Sequence, residues 1–180
     1  MKLAYLCCFA TITLISGCAT GPTPQNAQEF RQAVEKGTYG SLHETYDVNG
    51  DYAKVAATLK AKSNECFNKT ITTQECLRGP GSCINRSYTL IPRFTSKGNS
   101  AELVVQYKTN HANAKDVYLG GPPPESGAYI AVADAVAIGN GKTRISMYGT
   151  KITMFAHIPK AVKHWTNGTN LGCPDFTSDL

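Results

Sequence analysis

Apolar and polar positions recur along this chain with two different periods, and the switch between them divides it into recognisable elements. Tyr52, Val55, Ala56, Leu59, Ser63 and Cys66 recur at helical spacing, while Lys54, Lys60, Lys62 and Glu65 fill the remainder. That pattern predicts an amphipathic helix over Tyr52–Phe67, entered through an Asn49-Gly50 turn and N-capped by Asp51. Upstream, Gln28 to Lys36 reads as a short helix with Phe30, Ala33 and Val34 on one face, and Gly37 stands where a left-handed C-terminal cap belongs. Tyr39–Val48 reads as a strand. Beyond the long helix the chain turns β-rich, with expected strands at 84–91, 101–108, 114–119, 129–138 and 143–148. A last helix is expected over Ile158–Trp165, with Pro159 near its start and Asn167-Gly168 at its end.

The sharpest local signal is Ile138-Gly139-Asn140-Gly141-Lys142-Thr143, because Asn-Gly between two alternating runs favours a two-residue hairpin turn. Pairing outward without interruption sets Ile138 opposite Thr143, Val136 opposite Ile145 and Asp134 opposite Met147. Ile130, Val132, Val136, Ile138, Ile145 and Met147 then form the core face, and Ala131, Ala133, Ala135 and Ala137 the other. A row of alanines allows close approach of a helix or another chain. Asp134 is the misfit in this register, a carboxylate among apolar neighbours where an unpaired charge costs several kcal/mol. It reads either as a ligand or partner contact in a cleft, or as the mark of a different register, a strand end at the sheet rim, or a pair with Arg93 or Arg144.

The N-terminal residues carry a different pattern. After Lys2 an apolar run extends from Leu3 to Ile15, shorter than the roughly 20 residues a spanning helix needs. Its length and flanks fit the apolar region of a cleaved secretory signal. It ends in Ile15-Ser16-Gly17-Cys18, which resembles the lipobox of bacterial lipoproteins. That resemblance implies cleavage before Cys18, acylation of Cys18, and anchoring to a membrane through the lipid chains. Ala19, rather than Asp, follows the cysteine, so the resemblance implies the outer membrane, periplasmic face. The expected organisation is a signal peptide over residues 1–17, a Pro-containing tether over 18–27, and a single periplasmic domain over 28–180.

Removing residues 1–17 from the 180 leaves 163, enough for one domain with a proper core. The net charge falls from +5 to +4 with the loss of Lys2, and the basic residues form no run. That distribution does not suit nucleic-acid binding. Cys7 and Cys8 lie in the signal, and four cysteines remain beyond Cys18: Cys66, Cys76, Cys83 and Cys173. In an exported protein they read as two disulfides with three arithmetical pairings. Spacing favours Cys76–Cys83, which flank a chain-reversing Gly79-Pro80-Gly81, and therefore Cys66–Cys173. Zinc fits poorly, since the cysteines make no Cys-x-x-Cys pair.

The order strand, long helix, antiparallel strands, terminal helix resembles the helix-grip fold, and within the bacterial envelope the helix-grip domains of the outer-membrane assembly lipoprotein BamC. The likeness is one of element order over roughly residues 39–168 and rests on no residue motif. It implies an α+β fold in which an antiparallel sheet wraps one long helix; a generic α+β sandwich accommodates the same order.

The remaining candidates for chemistry resolve into local structure. Asp47-Val48-Asn49-Gly50-Asp51 begins like a calcium loop, but Tyr52 and Thr58 occupy its decisive glycine and glutamate places. Gly139 to Thr143 echoes a phosphate-binding loop, but Val136 stands where its first glycine belongs. His43, His111, His157 and His164 share no ligand spacing, and no nucleophile elbow is present. The Gly120–Gly127 segment, with Pro122-Pro123-Pro124, reads as a stiffened connector or as an extended recognition segment. The expected function is that of an interaction or scaffold domain with an envelope protein partner. The alternative is a module gripping a small apolar ligand or lipid. No catalytic residue, metal or cofactor is expected.

Overall fold

The computed structural model describes residues 22–37, 40–76, 83–110, 121–151 and 154–176, with 73–76 and 83–84 as backbone only. Three helices, α1 (Ala27–Glu35), α2 (Tyr52–Phe67) and α3 (His157–Asn167), accompany six strands. The strands are β1 (Ser41–Val48), β2 (Thr70–Cys76), β3 (Cys83–Lys97), β4 (Ser100–Thr109), β5 (Ala128–Gly139) and β6 (Lys142–Thr150). They form one antiparallel sheet in the order β1-β6-β5-β4-β3-β2. The class is α+β.

That order places β1 and β2 at opposite edges, although only α2 separates them in sequence. The helix therefore has to carry the chain across the sheet. Six strands about 4.8 Å apart span about 24 Å, and sixteen helical residues rising about 1.5 Å each give the same length. Asp51 starts the crossing by accepting a hydrogen bond from the Ala53 N–H at 2.8 Å. Val55, Ala56, Leu59, Ser63, Cys66 and Phe67 are buried along its inner side. Ile158, Ala161, Val162 and Trp165 of α3 complete the same core. Gly168, with φ +65°, supplies the left-handed cap that ends α3.

The hairpin between β5 and β6 departs from the uninterrupted register. Asn140 and Gly141 both take positive φ (53° and 66°), and Gly139 pairs with Lys142 as a two-residue turn requires. Gly139 is itself at φ +84°, and there the register shifts: Ala137, not Ile138, faces Thr143. This is a bulge, and a shift of one residue exchanges the two faces of a strand. Ala135 therefore pairs with Ile145, Ala133 with Met147 and Asp134 with Ser146. Ala131, Ala133 and Ala135 are buried in the core with Ile145 and Met147, whereas Val136 and Ile138 are 42% and 38% exposed. The expected core face is thus corrected: the alanines lie under the helices, and Val132 packs on the opposite face. Ile130 does belong to the core, beside a second irregularity between Val105 and Gln106.

Two further differences follow from local chemistry. The sequence Thr70-Ile-Thr-Thr-Gln-Glu-Cys76, not expected as a strand, forms edge strand β2. Its polarity suits an edge, and its hydroxyls pair across the strands, Thr70 with Thr89 at 3.0 Å and Thr72 with Ser87 at 3.4 Å. The helix expected from Gln28 begins at Ala27, because Asn26 and Glu29 form a reciprocal cap. The expected strand over 114–119 lies outside the described residues.

Cys66, in the last turn of α2, is bonded to Cys173 with a Cα–Cα distance of 5.1 Å. The bridge brings the C-terminal segment onto the core, where Phe176 packs 6.3 Å from Phe67 and the Trp165 indole donates to the Gly172 carbonyl at 3.0 Å. Cys76 and Cys83 are opposite each other in the β2–β3 register; their side chains lie outside the described residues. The Cys66–Cys173 bridge closes a separation of 107 residues, so replacing both cysteines with alanine is expected to lower stability by up to about 4–5 kcal/mol. Urea denaturation of the two proteins measures that loss; equal midpoints would contradict it.

Candidate functional site

The face of the sheet away from α2 is covered in part by α1. Phe30 and Val34, one helical turn apart, pack on Val104, Val132 and Tyr148. Beside this apolar contact, Glu102 of β4 and Asp134 of β5 are directly paired across the strands. Two like charges so placed repel, and the pairing is destabilising without a cation. Arg31 of α1 supplies it. Its Nε donates to Asp134 Oδ2 at 2.9 Å, and its Nη2 donates to both Asp134 Oδ1 and a Glu102 oxygen. The three side chains are between one-fifth and one-third exposed. Burial acts to lower the Arg31 pKa, and the hydrogen bonds to Asp134 and Glu102 outweigh it, so the guanidinium is held above its ordinary range.

Of the expected readings of Asp134, the different register is the one observed, since the shift at Gly139 sets it opposite Ser146; it is neither at the rim nor paired with Arg93 or Arg144. Arg144 is engaged by Asp47 across β1 and β6, with Nε–Oδ1 at 2.8 Å and Nη2–Oδ2 at 3.1 Å, which lowers the Asp47 pKa. Around the clamp, the Arg31 guanidinium lies 5.8 Å from the centroid of the Tyr148 ring, on which His43 stacks at 4.5 Å. Burial raises the Tyr148 pKa, with Glu35 and Asp134 adding to the shift and Arg31 opposing it. Chemically this cluster is a fastener: each carboxylate accepts from a guanidinium that also holds α1 in place.

The segment leading into α1 is fastened at a second point. Thr23 is buried, and its Oγ1 donates to the Gly121 carbonyl at 2.7 Å. The Gln25 side-chain amide donates to the carbonyls of Thr23 and Pro122, both at 3.0 Å. Residues 23–27, expected as tether, belong to the domain. The loop they bind is itself held. Gly127 N–H donates to Pro124 O at 2.8 Å, and the Gln106 amide, fully buried, donates to Ser126 Oγ and the Gly127 carbonyl. Gly127 sits at φ +111°, and a Cβ there would lie 2.6 Å from the Tyr107 carbonyl oxygen. Only glycine fits this approach.

The other candidates are placed separately. Asp51 is spent as the α2 cap, and Asn140-Gly141 is a hairpin turn. His164 Nδ1 lies 2.9 Å from Thr169 Oγ1, and His157 meets the edge of Phe176. Glu65 approaches Cys66 and Cys173, but their sulfurs are bonded to each other and Glu65 pairs with Lys62 at 2.8 Å. Cys18 and His111 lie outside the described residues. On the core side, Ala57, Lys60, Ala61, Asn64, Pro92 and Phe94 border an open groove of about 470 Å³ between α2 and β3. Arg31 had no motif to mark it. Its only signal was the pair of acids at strand centres, which demanded a cation from another element.

Replacing Arg31 with Leu is expected to cost about 1–3 kcal/mol, a range that allows for the partial exposure of its partners. Adding Glu102→Gln to that variant is expected to recover part of the loss by removing the facing charge, and Asp134→Ala alone is expected to destabilise. Denaturation of the single and double variants checks this. A loss below about 0.5 kcal/mol for Arg31→Leu would contradict the clamp.

No described helix is long and apolar enough to cross a membrane. No family model matches the chain, and no curated protein matches it. Among solved structures, the chain is similar to the hypothetical protein jhp0584 from Helicobacter pylori, at 11% identity over 77% of this chain and 90% of that one, with a TM-score of 0.40.

Proposed function

We propose that this protein is a lipid-anchored component of the bacterial envelope, held at the periplasmic face of the outer membrane and acting as an interaction or scaffold domain. The observation that carries the reading is Ile15-Ser16-Gly17-Cys18 at the end of a short apolar run. A Cys66–Cys173 disulfide accords with an oxidising compartment. The helix-grip-like reading of the domain draws support from α2 lying across the sheet between its two edge strands. For partner contact the domain offers the end of its outer face that no described helix covers, where exposed Val136 and Ile138 lie on the same hairpin as Arg144 and Lys142. That mixture of apolar and charged groups suits a protein surface.

The alternative, a module for a small apolar ligand or lipid, draws on the groove beside α2. The core that α2 and α3 share with the sheet is filled by buried side chains such as Leu59, Leu103, Val105 and Trp165, so a ligand would lie against Pro92 and Phe94 instead. Native mass spectrometry separates the two readings, since a co-purifying lipid favours the second.

Cys18→Ser is expected to release the protein from membranes and to abolish labelling by a fatty-acid probe. Crosslinking in intact cells is expected to recover a reproducible envelope partner of the anchored protein. Unchanged labelling of the Ser variant would overturn the anchor, and the absence of any reproducible partner would overturn the scaffold role.

A further inference from the structure

Resting on the reading of Cys18 as the lipidated residue, we infer that the end of the sheet carrying residues 121–125 is a membrane-facing surface, held against phospholipid headgroups by a very short tether. The sequence alone allots residues 18–27 to a flexible connection. Thr23 and Gln25 instead bond to Gly121 and Pro122, so only residues 19–22 separate Cys18 from a point fixed on the domain. Five Cα steps of at most about 3.6 Å cover about 18 Å when fully extended. Whatever the tilt of the domain, Thr23 stays within that distance of the lipidated cysteine, and the loop is hydrogen-bonded directly to it.

The opposite end of the sheet is under no such restriction. β5 runs from the loop side at Ala128 to the hairpin at Gly139, and its twelve residues extend about 36 Å. The β5–β6 hairpin and the β3–β4 turn at Gly98-Asn99 are therefore the membrane-distal end. The loop is built to serve as a stop. Of residues 121–125, the first four are Gly-Pro-Pro-Pro without side-chain charge to desolvate, and exposed Glu125 carries the one carboxylate. Three of the four are prolines with fixed φ, and the buried Gln106 and the constrained Gly127 hold the loop from behind. With this end at the membrane, exposed Val136 and Ile138 are presented away from the lipid, where a protein partner has access.

The full-length lipidated protein, reconstituted in phosphatidylethanolamine–phosphatidylglycerol vesicles, tests the orientation. A photo-crosslinking residue replaces Glu125 in one sample and Lys142 in another, both exposed, and lipid adducts are counted by mass spectrometry alongside fatty-acid labelling of each sample. Several-fold more lipid adduct is expected at position 125 than at 142. A twenty-residue Gly/Ser insertion between Thr20 and Gly21 is expected to shrink that ratio, since a flexible linker of that length spans about 25 Å on average. Equal adducts at the two positions with labelling intact would overturn the orientation. An unchanged ratio after the insertion would overturn the role of the tether. Loss of labelling in the parent protein would instead overturn the lipid anchor itself.

Discussion

The structure depends on one close approach, that of α2 to the centre of a sheet it must cross from edge to edge. Small residues in the sheet allow a helix that crosses it to approach closely. β5 supplies Ala131, Ala133 and Ala135 to the core under the helices, all buried, beside Leu103 of β4 and Ile145 and Met147 of β6. A strand of larger side chains there would hold the helix away and open voids that a close-packed core does not tolerate. The bulge at Gly139 makes this possible, because it turns the alanines rather than Val132, Val136 and Ile138 toward the helix.

The arrangement of the other face follows from this shift together with the β4–β5 register. Once the alanines face α2, Asp134 faces away from it, directly opposite Glu102. Two adjoining carboxylates then require a cation, and Arg31 brings α1 with it. α1 in turn draws residues 23–26 onto the 121–122 carbonyls, which leaves little free chain between Cys18 and the domain. A backbone irregularity at one end of the sheet is thus linked, through packing and charge, to residues 23–26, which lead into α1.

Much of this was legible in the sequence, for identifiable reasons. The α2 helix follows from a helical period entered through Asn49-Gly50 and capped by Asp51, and the Asn140-Gly141 turn follows from its positive-φ requirement. The bulge was not legible, because Gly139 could equally have closed an unbroken ladder, and that choice is settled by which face fits under α2. Period-two patterning also favoured the valines and isoleucines as core, an ordinary preference that the crossing helix overrides. β2 was hidden by its polarity, which is what an exposed edge strand requires. Arg31 was hidden because its partners lie 71 and 103 residues away, a separation no local pattern carries.

The face exchange on β5 is tested most directly by enlarging neighbouring residues of opposite orientation and measuring stability. Ala135 is fully buried and Val136 is 42% exposed. Leu in place of Ala135 is predicted to overpack the core and lower unfolding free energy by about 1–3 kcal/mol or more, with Val136→Leu close to neutral. The reverse ranking, with Val136→Leu costly and Ala135→Leu tolerated, would contradict the register on which the account rests.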